Sequence, residues 1–273
     1  MFIRQVTYKA IGMKMHRVGL FADTLRLAIS DQGEGAAFLV LHGGAGPASV
    51  AGLADALSGK ARVIVPVIPG FNGEPRPDWL GTIDDLALVY LALITQLDLS
   101  NVVIVGNSVG GWIAAEMALR QSPRIAGLVL LNAVGIDTGS AQRVIVNPMK
   151  LPPNERAALA FHDPARFAGV PSSPEALAVM ARNQSALATY AGDPFMHDPG
   201  LRSRLAGMRL PVVVAWGEND RIVDVEYGRL FAASIPQARF ELIPKAGHFP
   251  QIEQGDAVMQ CIADFTTQLG GQA

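Results

Sequence analysis

Short β-branched or apolar runs alternate along the chain with longer stretches in which apolar residues recur every three or four positions. The runs at 37–41, 62–66, 101–106, 127–131, 211–216 and 238–243 predict strands. Val102-Val103-Ile104-Val105 and Val212-Val213-Val214 show no polar alternation, which is expected of strands covered on both faces, the condition of a parallel sheet. Two more polar runs upstream, 3–10 and 24–30, predict an antiparallel edge and bring the count to eight. Between the strands, Thr82 and Asp85 form a helix-start signal, and Ile83, Leu86, Ala87, Tyr90, Leu91, Ile94 and Leu97 follow at helical spacing. Further helices are predicted directly after Ser108 to about 119, and over 256–269. Strand and helix in alternation predict an α/β fold, a mostly parallel eight-stranded sheet flanked by helices.

The rhythm breaks over 134–207. Prolines punctuate short helical stretches there, such as 174–190, with no strand pattern among them. A frame interrupted in this way predicts one core domain, 1–133 with 208–273, carrying a helical lid at 134–207.

Charge and composition narrow the class. The chain of 273 residues has 22 basic against 24 acidic side chains and half of its residues are apolar. No basic stripe is present to read phosphates, so a nucleic-acid partner is not expected. The apolar content is ample for a core, which excludes disorder. The greasiest run, 86–97, is bounded by Asp84, Asp85 and Asp98 and is too short to span a bilayer. The first nine residues lack the apolar core of a signal peptide, and the single cysteine, Cys261, permits no intrachain disulfide and sits in an apolar helical pattern. A soluble, cytoplasmic protein without a membrane partner is expected; a homodimer is compatible with such a chain.

The chemistry concentrates at strand ends. The apolar run 101–106 feeds Gly106-Asn107-Ser108-Val109-Gly110, a Gly-x-Ser-x-Gly turn that opens a helix. So sharp a turn needs small residues at both flanking positions and pushes the serine out above the sheet edge, with the N–H of Val109 free to meet an oxyanion. A serine needs a base. Of five histidines, His16, His162 and His197 have no chemical neighbours in the sequence, whereas His248 lies in a loop after the last strand, at the carboxyl edge where open α/β sheets bind ligands. The base needs an orienting carboxylate, and Gly217-Glu218-Asn219-Asp220 leaves the same edge one strand earlier; Asp220 is the best candidate, with Asp224 and Glu218 as rivals. A second oxyanion donor is expected from Gly43 or Gly44, in the small-residue loop His42-Gly43-Gly44-Ala45-Gly46-Pro47, with His42 itself a structural turn residue. Neither a phosphate-loop nor a His-Glu-x-x-His pattern is present, so no metal or organic cofactor is expected.

With these four motifs in this order the chain resembles the α/β-hydrolase superfamily over nearly its whole length. The elbow Gly106-Asn107-Ser108-Val109-Gly110-Gly111 is similar to that of the hydrolases that cleave carbon–carbon bonds in ring-cleavage products of aromatic degradation. That resemblance implies a substrate-binding role for Asn107 and Phe249, and for Arg182 as a lid residue that holds an acidic substrate end. Phe249 stands where those enzymes commonly have tryptophan, and the oxyanion loop departs from their His-Gly-x-Gly-Pro-Gly pattern. Ser108 at the elbow disfavours epoxide hydrolases and haloalkane dehalogenases, which use an aspartate there.

The expected activity is therefore that of a serine hydrolase working through an acyl-enzyme, with Ser108 as nucleophile, His248 as base and Asp220 as its orienter. Few charge anchors are evident in the lid, so the expected substrate is a small, largely apolar carboxylic ester or related acyl compound. The alternatives are carbon–carbon bond hydrolysis, or a lyase, acyltransferase or ligand-binding protein on the same fold.

Overall fold

The computed structural model describes residues 6–7, 14–140, 145–169 and 173–271. In chain order the strands and helices are β1 (Val6–Thr7), β2 (Lys14–Leu20), β3 (Leu25–Gln32), β4 (Ala37–Leu41), α1 (Ala48–Ser58), β5 (Arg62–Pro66), α2 (Ile83–Gln96), β6 (Val102–Asn107), α3 (Val109–Leu119), β7 (Ile125–Leu131) and β8 (Gly135–Ile136). There follow α4 (Pro153–Ala160), α5 (Pro164–Phe167), α6 (Pro174–Ala191), β9 (His197–Asp198), α7 (Leu201–Leu205), β10 (Val212–Gly217), α8 (Val225–Ala233), β11 (Arg239–Ile243), α9 (Pro250–Glu253) and α10 (Gly255–Gly270).

Among the described residues the main sheet has nine strands, in the order β1-β2-β3-β5-β4-β6-β7-β10-β11. The six from β5 to β11 are parallel, and the first three add an antiparallel edge. The sheet thus exceeds the expected eight strands. The strand that sequence reading overlooked is β2, where Lys14, His16 and Arg17 dilute the apolar signal. Its turn into β3 places Phe21, Ala22 and Asp23 at positive φ, without the Asn-Gly or Gly-x pair that announces a tight hairpin. The run expected at 3–10 is a strand at Val6–Thr7, and its other residues lie outside the described ones.

The apolar strands are buried as their patterns require: Leu39, Ile64, Ile104, Leu128 and Val214 are fully inaccessible. Helix α2 carries the expected capping box, with the Thr82 hydroxyl and the Asp85 carboxylate each accepting the other's backbone N–H. Helix α3 is buried almost all round and packs on α2 and β6, and α1 packs on α10, in which Cys261 is buried. No helix among the described residues is long and apolar enough to cross a membrane.

The stretch between β7 and β10 is mostly helical, but it is not free of strand. Its two ends meet as a parallel ladder that pairs Gly135 with His197 and Ile136 with Asp198, a correction to the expectation of no strand there. Two-residue strands leave no periodicity to read. The ladder returns the excursion to its starting point, and α7 is tied to α3 by Arg204, whose guanidinium grips the buried Glu116 carboxylate at 2.7 and 2.8 Å.

Candidate active site

Sheet register brings the motifs together. Leu41 of β4 pairs with Gly106 of β6, so two residues further on Gly43 stands beside Ser108. A Cβ on Gly43 would press on the Ser108 Cβ at 2.9 Å, which only glycine avoids. Asn107 pairs with Leu131 of β7, Leu131 with Ala215 of β10, and Gly217 with Ile243 of β11. The loops that carry Asp220 and His248 therefore leave the same sheet edge, side by side. Chain order reverses about β4, with β5 on one side and β6 on the other, and such a switch point opens a crevice at the carboxyl ends of the strands.

The elbow is strained, as the motif demands. Ser108 adopts φ 56° and ψ −120°, a region that costs a non-glycine residue on the order of 1–3 kcal/mol. Its backbone is held on both sides, the N–H by Leu131 O (2.9 Å) and the carbonyl by Gly111 N (2.9 Å). A Cβ at Gly106 would strike the Gly110 carbonyl, and one at Gly110 would strike that of Leu41. Among the described residues the N–H groups of Gly43, Gly44 and Val109 donate to no protein acceptor, and are available to an oxyanion. His42 supports this loop from beneath. Its Nδ1 bonds to Gly43 O (2.8 Å), its Nε2 accepts from Ile68 N (3.1 Å), and burial pushes its pKa down to about 4. It is neutral and structural.

Asp220 is buried and accepts four hydrogen bonds. Its Oδ1 takes the N–H groups of Ile222 (2.8 Å) and Val223 (3.0 Å), while Oδ2 takes Asn132 Nδ2 and His248 Nδ1, both at 2.7 Å. A carboxylate so placed fixes the proton on Nδ1 and leaves Nε2 as a base. The rivals are occupied elsewhere: Asp224 caps α8 by accepting from Tyr227 N (2.7 Å), and Glu218 is exposed. His248 and Ser108 line one cavity of about 470 Å³. No hydrogen bond joins the serine hydroxyl to the imidazole here, a contact that commonly tightens only with substrate bound.

Three of the residues named from sequence carry substrate-binding expectations, and the structure separates them. Phe249 lines the cavity, its ring 5.3 Å from those of His248 and Phe161. Asn107 does not: its amide is turned inward, donating to Leu131 O and His248 O, both at 3.1 Å, so it struts the histidine loop. Arg182 is exposed, lies beside Gly73 and does not line the cavity. The cation that does line the cavity is Arg156 of α4. Its Nε is buried without a partner, Nη2 reaches Leu151 O at 3.4 Å and Nη1 meets Met180 Sδ at 3.9 Å; no acidic side chain pairs with it among the described residues. The rest of the wall is mostly apolar, with Met149, Met180, Phe161, Phe195 and Leu187. No cluster of metal-ligating side chains is found among the described residues.

Sequence reading also missed Asn132. Fully buried, it donates to Asp220 Oδ2 and accepts from Gly217 N (3.2 Å), joining the acid's loop to the end of β7. Its signal was present as a polar residue directly following the apolar run Leu128-Val129-Leu130-Leu131.

Comparison with known proteins agrees with the fold. A 2-hydroxy-6-oxo-6-phenylhexa-2,4-dienoate hydrolase of Burkholderia cepacia is 24% identical, the match covering 89% of this chain and 92% of that protein. The crystal structure of a meta-cleavage product hydrolase from Pseudomonas fluorescens IP01 superposes with a TM-score of 0.76 at 21% identity, over 92% of this chain and 97% of that one. A thermophilic esterase from Thermogutta terrifontis superposes with a TM-score of 0.73 at 25% identity, over 98% and 99%. The profile of the alpha/beta hydrolase family matches residues 38–260. With its mostly parallel sheet and elbow at the switch point, the chain belongs to the α/β-hydrolase family.

Proposed function

We propose that this hydrolase cleaves an acyl carbon–carbon bond in a substrate with an acidic end and an otherwise apolar body, of the 2-hydroxy-6-oxo-dienoate class. The observation that carries the reading is Arg156, an unpaired guanidinium on the wall of an otherwise largely apolar cavity that also holds Ser108 and His248. A carboxylate on the substrate would supply the charge-assisted, two-pronged partner that the protein withholds. The curated relative from Burkholderia, named for a phenylhexadienoate, supports the same class.

In this reading Ser108 Oγ adds to the substrate ketone as His248 Nε2 takes its proton. The oxyanion is met by the N–H of Val109 and that of Gly43 or Gly44. The attack is on the 2-oxo tautomer, in which the 2-hydroxyl proton has moved to the carbon beside the ketone. When the carbon–carbon bond breaks, its electron pair is therefore delocalised onto the 2-oxo oxygen as a dienolate, and His248 returns the proton to that oxygen. Water hydrolyses the acyl-Ser108 intermediate with His248 again as base. Asp220 holds the imidazole and stabilises its cationic form throughout.

Ester hydrolysis is the second reading, favoured by the apolar wall and by the likeness to the Thermogutta esterase. A steady-state comparison separates the two. The expected result is faster bleaching of a coloured phenylhexadienoate than turnover of short p-nitrophenyl esters. Arg156→Met should raise KM for the acid and leave neutral esters unaffected. Preferential turnover of esters, indifferent to Arg156→Met, would put the ester reading in its place.

A further inference from the structure

The loop that carries His248 and the segment that follows α4 are fastened to one buried carboxylate. Glu253, at the end of α9, accepts the N–H of Gly247 (2.6 Å) and of His162 (3.1 Å) on Oε2, and that of Asp163 (2.9 Å) on Oε1. The first donor immediately precedes His248; the other two belong to the turn between α4 and α5. The two segments also bond directly, His248 N donating to Ala160 O at 2.7 Å. They lie so close that a Cβ on Gly247 would collide with that carbonyl. From the outer side Arg221 holds the same stretch, its N–H on Leu159 O (3.1 Å) and its guanidinium on the carbonyls of Ala158 and Phe161. Phe161 packs its ring on Phe249. From below, Asn107 and Asn132 reach the carbonyls of His248 and Gly247.

His248 is thus gripped from two sides, and only one grip belongs to the sheet. We propose that Glu253 is a positioning residue that couples docking of the α4 end to placement of the His248 imidazole. The inference rests on the reading of Ser108 and His248 as the reacting pair. If the 158–163 stretch lifts, the loop loses the Ala160 acceptor, and Glu253 loses the two donors that hold its carboxylate against Gly247. The imidazole is then free to swing from the serine. The segment that walls the cavity, and bears Arg156 one turn before, is in this way also part of the frame that holds the base. A site that is unroofed has its base misplaced, which limits reaction before substrate is enclosed.

The test uses Glu253→Ala, Glu253→Gln and Arg221→Ala in the full chain. Reactive Ser108 is titrated with a fluorophosphonate, and p-nitrophenyl acetate serves as a substrate too small to depend on the far wall. Per titrated site, kcat of Glu253→Ala should fall tenfold or more with KM within threefold of the parent. Glu253→Gln should keep at least a third of the parent kcat, since its carbonyl can still accept from Gly247 and His162. Arg221→Ala, an exposed change that does not threaten folding, should lower kcat threefold or more with KM unchanged, and it decides the matter if Glu253→Ala does not fold. Unchanged kcat per site in Arg221→Ala and in whichever Glu253 variants fold, or kcat and KM altered together with no rescue by glutamine, overturns the coupling. A parent protein that takes no label on Ser108 overturns the underlying reading as well.

Discussion

The floor and the roof of the cavity are built on different principles. The floor hangs from parallel strands whose register alone sets Gly43 beside Ser108 and the Asp220 loop beside that of His248. Its backbone groups are paired along ladders, so displacing one residue disturbs a whole strand. The roof, α4 to α6, has no ladder of its own among the described residues and is held by side chains and by isolated backbone bonds, such as those of His248 N to Ala160 O and Arg221 N to Leu159 O. The Asn183 amide accepts from Asn72 N at 2.7 Å, Tyr190 donates its hydroxyl to Pro69 O at 3.0 Å, and Glu253 clamps the turn after α4. The reaction belongs to the floor and should fail almost completely when one atom is removed; substrate choice belongs to the roof and should shift by degrees.

The largest effects therefore lie in the floor. Ser108→Ala should lower kcat by about four to six orders of magnitude, and Asp220→Asn by about four, by the behaviour of other triads. Asp224→Asn, one turn away, should keep kcat within about twofold, since Asp224 only caps α8, and asparagine caps a helix about as well as aspartate. Steady-state kinetics on the three variants check this, and a dead Asp224→Asn with an active Asp220→Asn would reverse the assignment of the orienting acid. In the roof, Arg156→Met should raise KM for an acidic substrate by about 10- to 100-fold, the loss of a charge-assisted hydrogen bond of about 1.5–3 kcal/mol, with kcat nearly unchanged. Equal loss in kcat would place Arg156 with the reacting atoms and blur the division.

A further effect separates floor from roof by pH. His42 is buried and neutral, its pKa pushed down to about 4 from 6.5, whereas the unfolded chain binds a proton at the ordinary value. Its contribution is fully present above pH 6.5 and is lost as pH falls through 4, by roughly 3 kcal/mol in all. The urea midpoint should decline across that window; a midpoint that holds steady or rises on acidification would show that the loop under Gly43 is not sealed. The smallest effect is that of Arg182→Ala. On an exposed face outside the cavity, it should change stability by less than about 0.5 kcal/mol and leave KM alone; a raised KM would bring Arg182 into the site after all.

The contrast also explains what could be read from the residues alone. The elbow and the acid sit at the ends of the buried strands β6 and β10, and the base follows the partly exposed edge strand β11; in each case a glycine or polar residue marks the exit from the strand. The same logic finds Ser108, Asp220 and His248 in a string of letters, since register is local and repeated. Asn107 was visible but misread, because which way an amide turns depends on the His248 carbonyl, 141 positions along the chain. Arg182 and Arg156 look alike as sequence, each an arginine in a helical stretch. Only the docking of α4 and α6 decides that one faces water and the other the cavity. Glu253 was silent for a similar reason: its three partners are backbone N–H groups, which no residue type announces. The β2 hairpin escaped because its turn uses Phe21, Ala22 and Asp23 at positive φ.

Whether Ser108 is the nucleophile and His248 its base is decided by the rate at which a fluorophosphonate labels the purified protein, with the modified residue mapped by peptide mass. The expected result is a single adduct on Ser108, protection by saturating phenylhexadienoate, and a loss of rate of several orders of magnitude in His248→Ala. An adduct elsewhere, or a labelling rate that survives His248→Ala intact, would contradict it.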